Sequence, residues 1–237
     1  MITSLLKRFV YALFLLGVIS IIAFGLSKLV PGDEILDYLS IDDSRYSSSA
    51  DPLQQRAAYA RVAAKRGLDL PLFYVSVIPG YYPDSLYAIV PVDVRETIKK
   101  WVTASRDKAA AMQMHRDLLS GLAYACPRAN TSEIADQCCQ GFSTALNTHD
   151  LFSVHHSIIR LHTLNAKSGH TDIVLGDLLN KLHQDIEQLI SEPKRLAATA
   201  WLPSIYWHGK QNQYHRWMAG FITLQPVTSL IDGRDAW

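Results

Sequence analysis

Nineteen consecutive residues without a charge, Phe9 to Ser27 (FVYALFLLGVISIIAFGLS), constrain this chain more than any other feature. Continued to Val30, the run makes a helix of roughly 33 Å, which matches the hydrocarbon thickness of a bilayer. A secretory signal has a shorter apolar stretch and a small-x-small cleavage site, and the exit SKLVPGD offers none. An uncleaved membrane span over residues 9–30 is therefore expected. Lys7 and Arg8 precede it, while Asp33, Glu34, Asp37, Asp42 and Asp43 follow it. The positive-inside rule then puts residues 1–8 in the cytoplasm and residues 31–237 outside. Lys28 sits in the last turn, where its stem can snorkel to the headgroups.

Beyond the span the pattern is mainly α. Residues 31–92 read as a linker, a short helix and an extended segment. SIDDSRYSSSADP is polar and turn-rich, and DPLQQRAAYARVAAKRG suits a helix with Pro52 in its first turn and Gly67 as its stop. Proline, tyrosine and valine then interrupt any helix from Leu68 to Pro91, with a short strand expected near Leu72 to Ile78. Residues 93–203 read as a helical domain. One long helix is expected from Asp93 to the residues before Pro127, with Asp93 and Glu96 as a capping box. A second begins at Thr131 or Ser132, a third spans DLFSVHHSIIRLHTLNAK, and a fourth runs from Thr171 to about Glu192. That last helix carries Leu175, Leu179, Leu182, Ile186 and Leu189 at four-three spacing, one continuous apolar seam. A helical hairpin or small bundle buries it, with a coiled-coil dimer as the alternative. The expected core includes Ile98, Trp101, Leu118 and Leu122 beside the seam.

The charge balance, 23 basic against 22 acidic residues, gives no footprint for nucleic acid. No HExxH, CxxC, nucleophile elbow or glycine-rich phosphate loop is present, so neither an enzyme nor a cofactor site is expected. His155, His156 and His162 are the densest histidines, but no two of them have the i,i+4 spacing of metal ligands on one helical face. No metal ligand is assigned. The three cysteines allow a disulfide, because Cys126 ends one helix and Cys138 and Cys139 lie early in the next. A bridge across that turn would be worth about 3 kcal/mol; three buried thiols acting as small hydrophobes are the alternative. Residues 204–237 form an aromatic segment, with Tyr206, Tyr214, Trp217 and Phe221 along an expected helix suited to the headgroup boundary.

Three landmarks resemble the permeases of dipeptide/oligopeptide-type ABC importers. LLKRFVYALFLLGVISIIAFGLSKLVPGD is similar to their first span with its closing L-V-P-G-D. AKRGLDLPLF is similar to a helix ending in LGLD-P, and NQYHRWMAGFITLQPVTSLIDGRDAW to a QY-x-x-W helix that leads toward the second span. In that family the second and third landmarks are nearly adjacent, whereas here Tyr74 to Lys210 intervene as a helical insertion. Gln225 and Pro226 stand where the family tends to have Gly-Asp. The resemblance implies a component of a bacterial inner-membrane importer for peptides or related small solutes, its N-terminal part. It also implies a second permease subunit, cytoplasmic ATPase subunits and a solute-binding protein as partners. Lys7, Arg8, Lys28, Tyr214, Trp217 and Phe221 are expected at the membrane interface on their own chemistry, and the resemblance brings the tail back to the membrane, where it is expected to pack on the first span around Ser27 to Pro31. A single-span extracytoplasmic sensor or adaptor is the alternative reading.

Overall fold

The computed structural model describes residues 2–29, 35–36, 39, 51–167, 172–191 and 201–223. Helix α1, Ile2–Ser27, contains the apolar run and both flanking basic residues. Its window Thr3–Ser27 has a mean hydropathy of 2.6 and is long and apolar enough to cross a membrane. Val30, Pro31 and the acidic residues expected beyond the span lie outside the described residues, as does the tail from residue 224 onward.

Helix α2, Pro52–Arg66, starts and stops as its sequence dictates. The Asp51 carboxylate accepts the Leu53 N–H, Pro52 occupies the first turn, and Gly67 ends the helix in the left-handed conformation. The extended segment then supplies β1, Val75–Pro79, and a 3-10 turn at Asp84–Ala88 follows. The Arg95 guanidinium ties that turn to the next helix by donating to the carbonyls of Tyr87 and Ile89.

The long helix expected from Asp93 is two helices, α3 at Val92–Ser105 and α4 at Lys108–Ala125. Arg106 breaks them apart at φ 58°, and the Asp107 carboxylate restarts the helix by accepting from Ala109 and Ala110. The expected capping box is also absent. Pro91 precedes α3 without a side-chain cap, and the Glu96 carboxylate accepts from Lys99 Nζ at 2.7 Å instead. After a 3-10 turn at Cys126–Thr131 come α5, Glu133–Asn147, α6, Leu151–Lys167, and α7, Ile173–Ser191. Ser132 caps α5 through the Ala135 N–H. Asp150 holds the first turn of α6 by accepting from the backbone and hydroxyl of Ser153.

Helices α4, α5, α6 and α7 close into a ring of neighbours, each packing on the next and α7 on α4, with α3 laid across α4 and α5. The whole α7 seam is buried inside this ring, together with Ile98, Trp101, Leu118 and Leu122. A side chain enclosed by its own bundle has no surface left for a second copy, so the coiled-coil alternative does not hold. Close packing shows at Gly121, where a Cβ would lie 2.6 Å from the ring of Phe142 on α5. Trp101 donates its indole N–H to the Thr148 carbonyl at 3.1 Å, which satisfies the one polar atom its burial would otherwise strand.

One disulfide joins Cys126 to Cys139 across the turn between α4 and α5, leaving Cys138 as a buried free thiol. Burial and the Asp172 carboxylate push that thiol's pKa up.

The remaining elements correct the reading of the C-terminal segment. Tyr206 lies not on a helix but in β2, Pro203–Trp207, which pairs antiparallel with β1 so that Val75 faces Trp207 and Pro79 faces Pro203. The aromatic helix α8 occupies Gln213–Ile222. This two-stranded ribbon forms a neck through which the chain leaves for the bundle and returns.

Candidate functional site

The C-terminal end of α1 is the meeting point of segments from both ends of the described chain. Although α1 is otherwise almost wholly exposed, Phe24 is buried. The rings of Phe73, Tyr214 and Trp217 enclose it at centroid separations of 5.6, 5.5 and 5.6 Å. These edge-on and tilted contacts suit aromatic quadrupoles better than face-to-face stacking would. One turn earlier, Ser20 Oγ lies 3.0 Å from the Tyr214 hydroxyl and donates to Met218 Sδ at 3.2 Å. The α8 contact thus falls on Ser20 and Phe24, one to two turns before the expected stretch.

The start of α8 fixes this geometry. Asn212, fully buried, accepts the His215 N–H and donates to the Gly209 carbonyl. First-turn N–H groups have no partner inside their own helix. Here they reach across to the turn after α2, Gln213 to the Pro71 carbonyl at 2.9 Å and Tyr214 to that of Leu72 at 3.1 Å. The Gln213 side chain donates to Leu70 at 2.8 Å. Arg216 donates to the Lys65 carbonyl at 2.6 Å. Residues 65–72 and 212–216 therefore make one hydrogen-bonded joint. Gly67 is required in it twice over: its φ is +72°, and a Cβ there would stand 2.7 Å from Arg216 Nη1.

The residues assigned to a membrane interface do not share one environment. Lys7 and Arg8 are exposed on the first turns of α1. Lys28, just past the helix, holds its ammonium 6.0 Å from the Phe24 ring centroid. Tyr214 is buried and its hydroxyl is engaged with Ser20. Trp217 is partly exposed, and Phe221, 71% exposed, stacks on it at 6.3 Å. The strand expected near Leu72 to Ile78 is β1, but sequence reading missed its partner β2; in the ribbon they form, Val77, Ile205 and Trp207 share one face by register and are all exposed. An alternation of apolar residues in PSIYW was the available signal.

A cavity of about 670 Å³ opens between the joint and the bundle, lined among others by Ser27, Lys28, Tyr59, Leu72, Arg95 and Gln213. Its lining is largely aliphatic and aromatic, with Lys28, Arg95 and Asp93 as its charged residues. Burial lowers the Arg95 pKa, and that guanidinium is already committed to backbone carbonyls.

Two clusters elsewhere invite a catalytic reading and differ from what such chemistry needs. Ser76 Oγ lies 2.8 Å from His208 Nε2, and Asp84 Oδ1 lies 3.8 Å from the same nitrogen. A hydrolytic triad has the carboxylate on the opposite ring nitrogen, where it orients the imidazole. Asp51, Cys126 and Cys139 converge, but both sulfurs are joined in the disulfide. Of the dense histidines, His162 is bonded to Asn180 at 2.9 Å and His155 is brought against His183 of α7. No family model matches the chain, and neither a curated protein nor a solved structure matches it significantly.

Proposed function

We propose that the chain provides the first membrane span and first extracytoplasmic segment of a permease component of an ABC-type importer for peptides or related small solutes. In this reading α1 crosses a bacterial inner membrane with Lys7 and Arg8 on the cytoplasmic side. The bundle stands outside, toward a solute-binding protein, and a second permease subunit and cytoplasmic ATPase subunits complete the assembly.

The joint between residues 65–72 and 212–216 carries the reading. The sequence landmarks that resemble the importer family, GLD-x-P and QY-x-x-W, would be nearly adjacent in that family. They are far apart here, yet they are bonded to one another. The ribbon closes directly beyond them, so residues 74–210 depart from and return to one place, as an insertion must. The exposed apolar side chains of α8 and the ribbon, beside an apolar helix of spanning length, support a membrane-facing base.

Disruption of the gene, followed by uptake of labelled di- and oligopeptides, tests the transport role. Loss of uptake that returns with the intact gene is expected. Unchanged uptake at every peptide length would favour the single-span sensor or adaptor. Reporter fusions after Lys7 and after Lys167 should report opposite compartments, and a common compartment would remove the topology.

A further inference from the structure

Helices α6 and α7 lie against each other through buried residues that also fix two imidazoles. His155 stands between buried Val154 and Ile158, and His183 between buried Leu182 and Ile186. Anchored this way, His155 Nε2 lies 3.2 Å from His183 Nδ1, with ring centroids 4.9 Å apart. Two imidazole nitrogens facing at that distance cannot both present bare lone pairs. Either one carries a shared hydrogen, or a cation accepts both.

The third group is Glu187, one turn further along α7. Its Oε1 lies 3.4 Å from His183 Nε2, and each of the three side chains offers a ligand atom within 4.8 Å of the others. Ligands bound at 2.0–2.1 Å around a tetrahedral ion stand about 3.3 Å apart. The two imidazole nitrogens already have that spacing. Glu187 now sits at Nε2 of His183 while His155 faces Nδ1; being exposed and i,i+4 from His183, its carboxylate is free to swing to the Nδ1 side, where it would complete the set. Two imidazoles and one carboxylate, without a thiolate, suit zinc, nickel or copper(II) rather than calcium or magnesium. Spacing within His155–His162 pointed to no such site, because the second imidazole comes from a different helix.

We propose that His155, His183 and Glu187 bind one divalent transition-metal ion, which clamps α6 to α7 and keeps an open position for water or an outside ligand. The site is half exposed, so the ion enters from solvent without unfolding the bundle.

The test uses the full chain in detergent or nanodiscs, without a histidine tag and stripped with a chelator. Zinc(II) and nickel(II) are titrated separately by calorimetry, and melting is followed with and without zinc. One ion per chain is expected, with a rise in melting temperature on zinc addition. His155→Ala and His183→Gln should each weaken binding at least about tenfold, since even outer-shell partners of metal ligands cost that much. Glu187→Gln should weaken it less, and His156→Ala should leave it unchanged. Absence of one-to-one binding in the parent chain would overturn the proposal. So would undiminished affinity in a His155 or His183 variant whose metal-free melting matches the parent.

Discussion

The hydroxyl of Tyr214 lies 3.0 Å from Ser20 Oγ, two residues separated by 194 positions of sequence. A hydroxyl set between Ile19 and Ile21 on the apolar run is thereby matched to the only polar atom of a buried ring, and Phe24 seals the contact one turn on. Neither partner has any local reason to be where it is.

That apposition is testable by cysteine trapping. Ser20→Cys with Met218→Cys, in a background lacking the three native cysteines, should crosslink through a short bis-thiol-reactive linker, because the longer parent Met218 side chain brings its Sδ to 3.2 Å from Ser20 Oγ. Cysteine at exposed Ile222 should not trap with position 20. Equal trapping of both pairs would mean that α8 does not dock on α1 as described.

Gly67→Ala should destabilise the joint by about 1–3 kcal/mol, through positive φ and the Arg216 contact together. In an Arg216→Ala background, which lacks both that contact and the bond to Lys65, the same substitution should cost only the backbone strain, about 1 kcal/mol. Chemical denaturation of the two variants separates the contributions. A Gly67→Ala protein as stable as the parent would contradict the left-handed cap.

Leu182 is fully buried in the α7 seam, and truncation to alanine should cost about 2–5 kcal/mol. A variant that melts with the parent would place the seam on the surface.

His115 gives the bundle a predicted acid sensitivity. Burial, with the nearby charges of Arg56 and Arg116, lowers its pKa from 6.5 to about 4. Between those values the unfolded chain binds a proton that the folded chain refuses. The contribution of His115 is therefore complete above pH 6.5 and declines as the pH falls toward 4, by a total on the order of 3 kcal/mol. Asp185 works the other way: burial and Asp117 raise its pKa, so the folded state takes that proton more readily. His115→Gln should flatten the loss of stability between pH 6.5 and 4.5. Parallel pH profiles for variant and parent would reject the assignment.

Much of the fold is legible in the sequence because its signals are local. Ser132 is a cap followed by a helix, Gly67 is a stop, and the α7 seam repeats at a spacing that only a helix aligns on one face. The break at Arg106 and Asp107 was hidden because good helix formers lie on both sides and neither glycine nor proline marks it. Asp107 caps no less well for standing mid-run. The site is less legible for a different reason. The carbonyls of Lys65, Leu70, Pro71 and Leu72 acquire their role only when α8 arrives from the far end of the chain. His155 similarly shows nothing until α7 brings His183 against it. Strand β2 had the right residue types, but its partner β1 lies across the whole bundle in sequence.

The register of the neck also bears on how long a segment it can carry. Val75 opposite Trp207 and Pro79 opposite Pro203 hold the two chain ends at pairing distance whatever lies between them. The entropy of closing an interior loop grows only with the logarithm of its length, about 0.6 kcal/mol for each doubling. Lengthening residues 80–202 from a short turn to a folded bundle therefore asks little of the base, and the added chain, once folded, supplies its own cohesion. The length of this segment is thus nearly unconstrained by the base, where Gly67, Gln213 and Tyr214 stay tied to their partners.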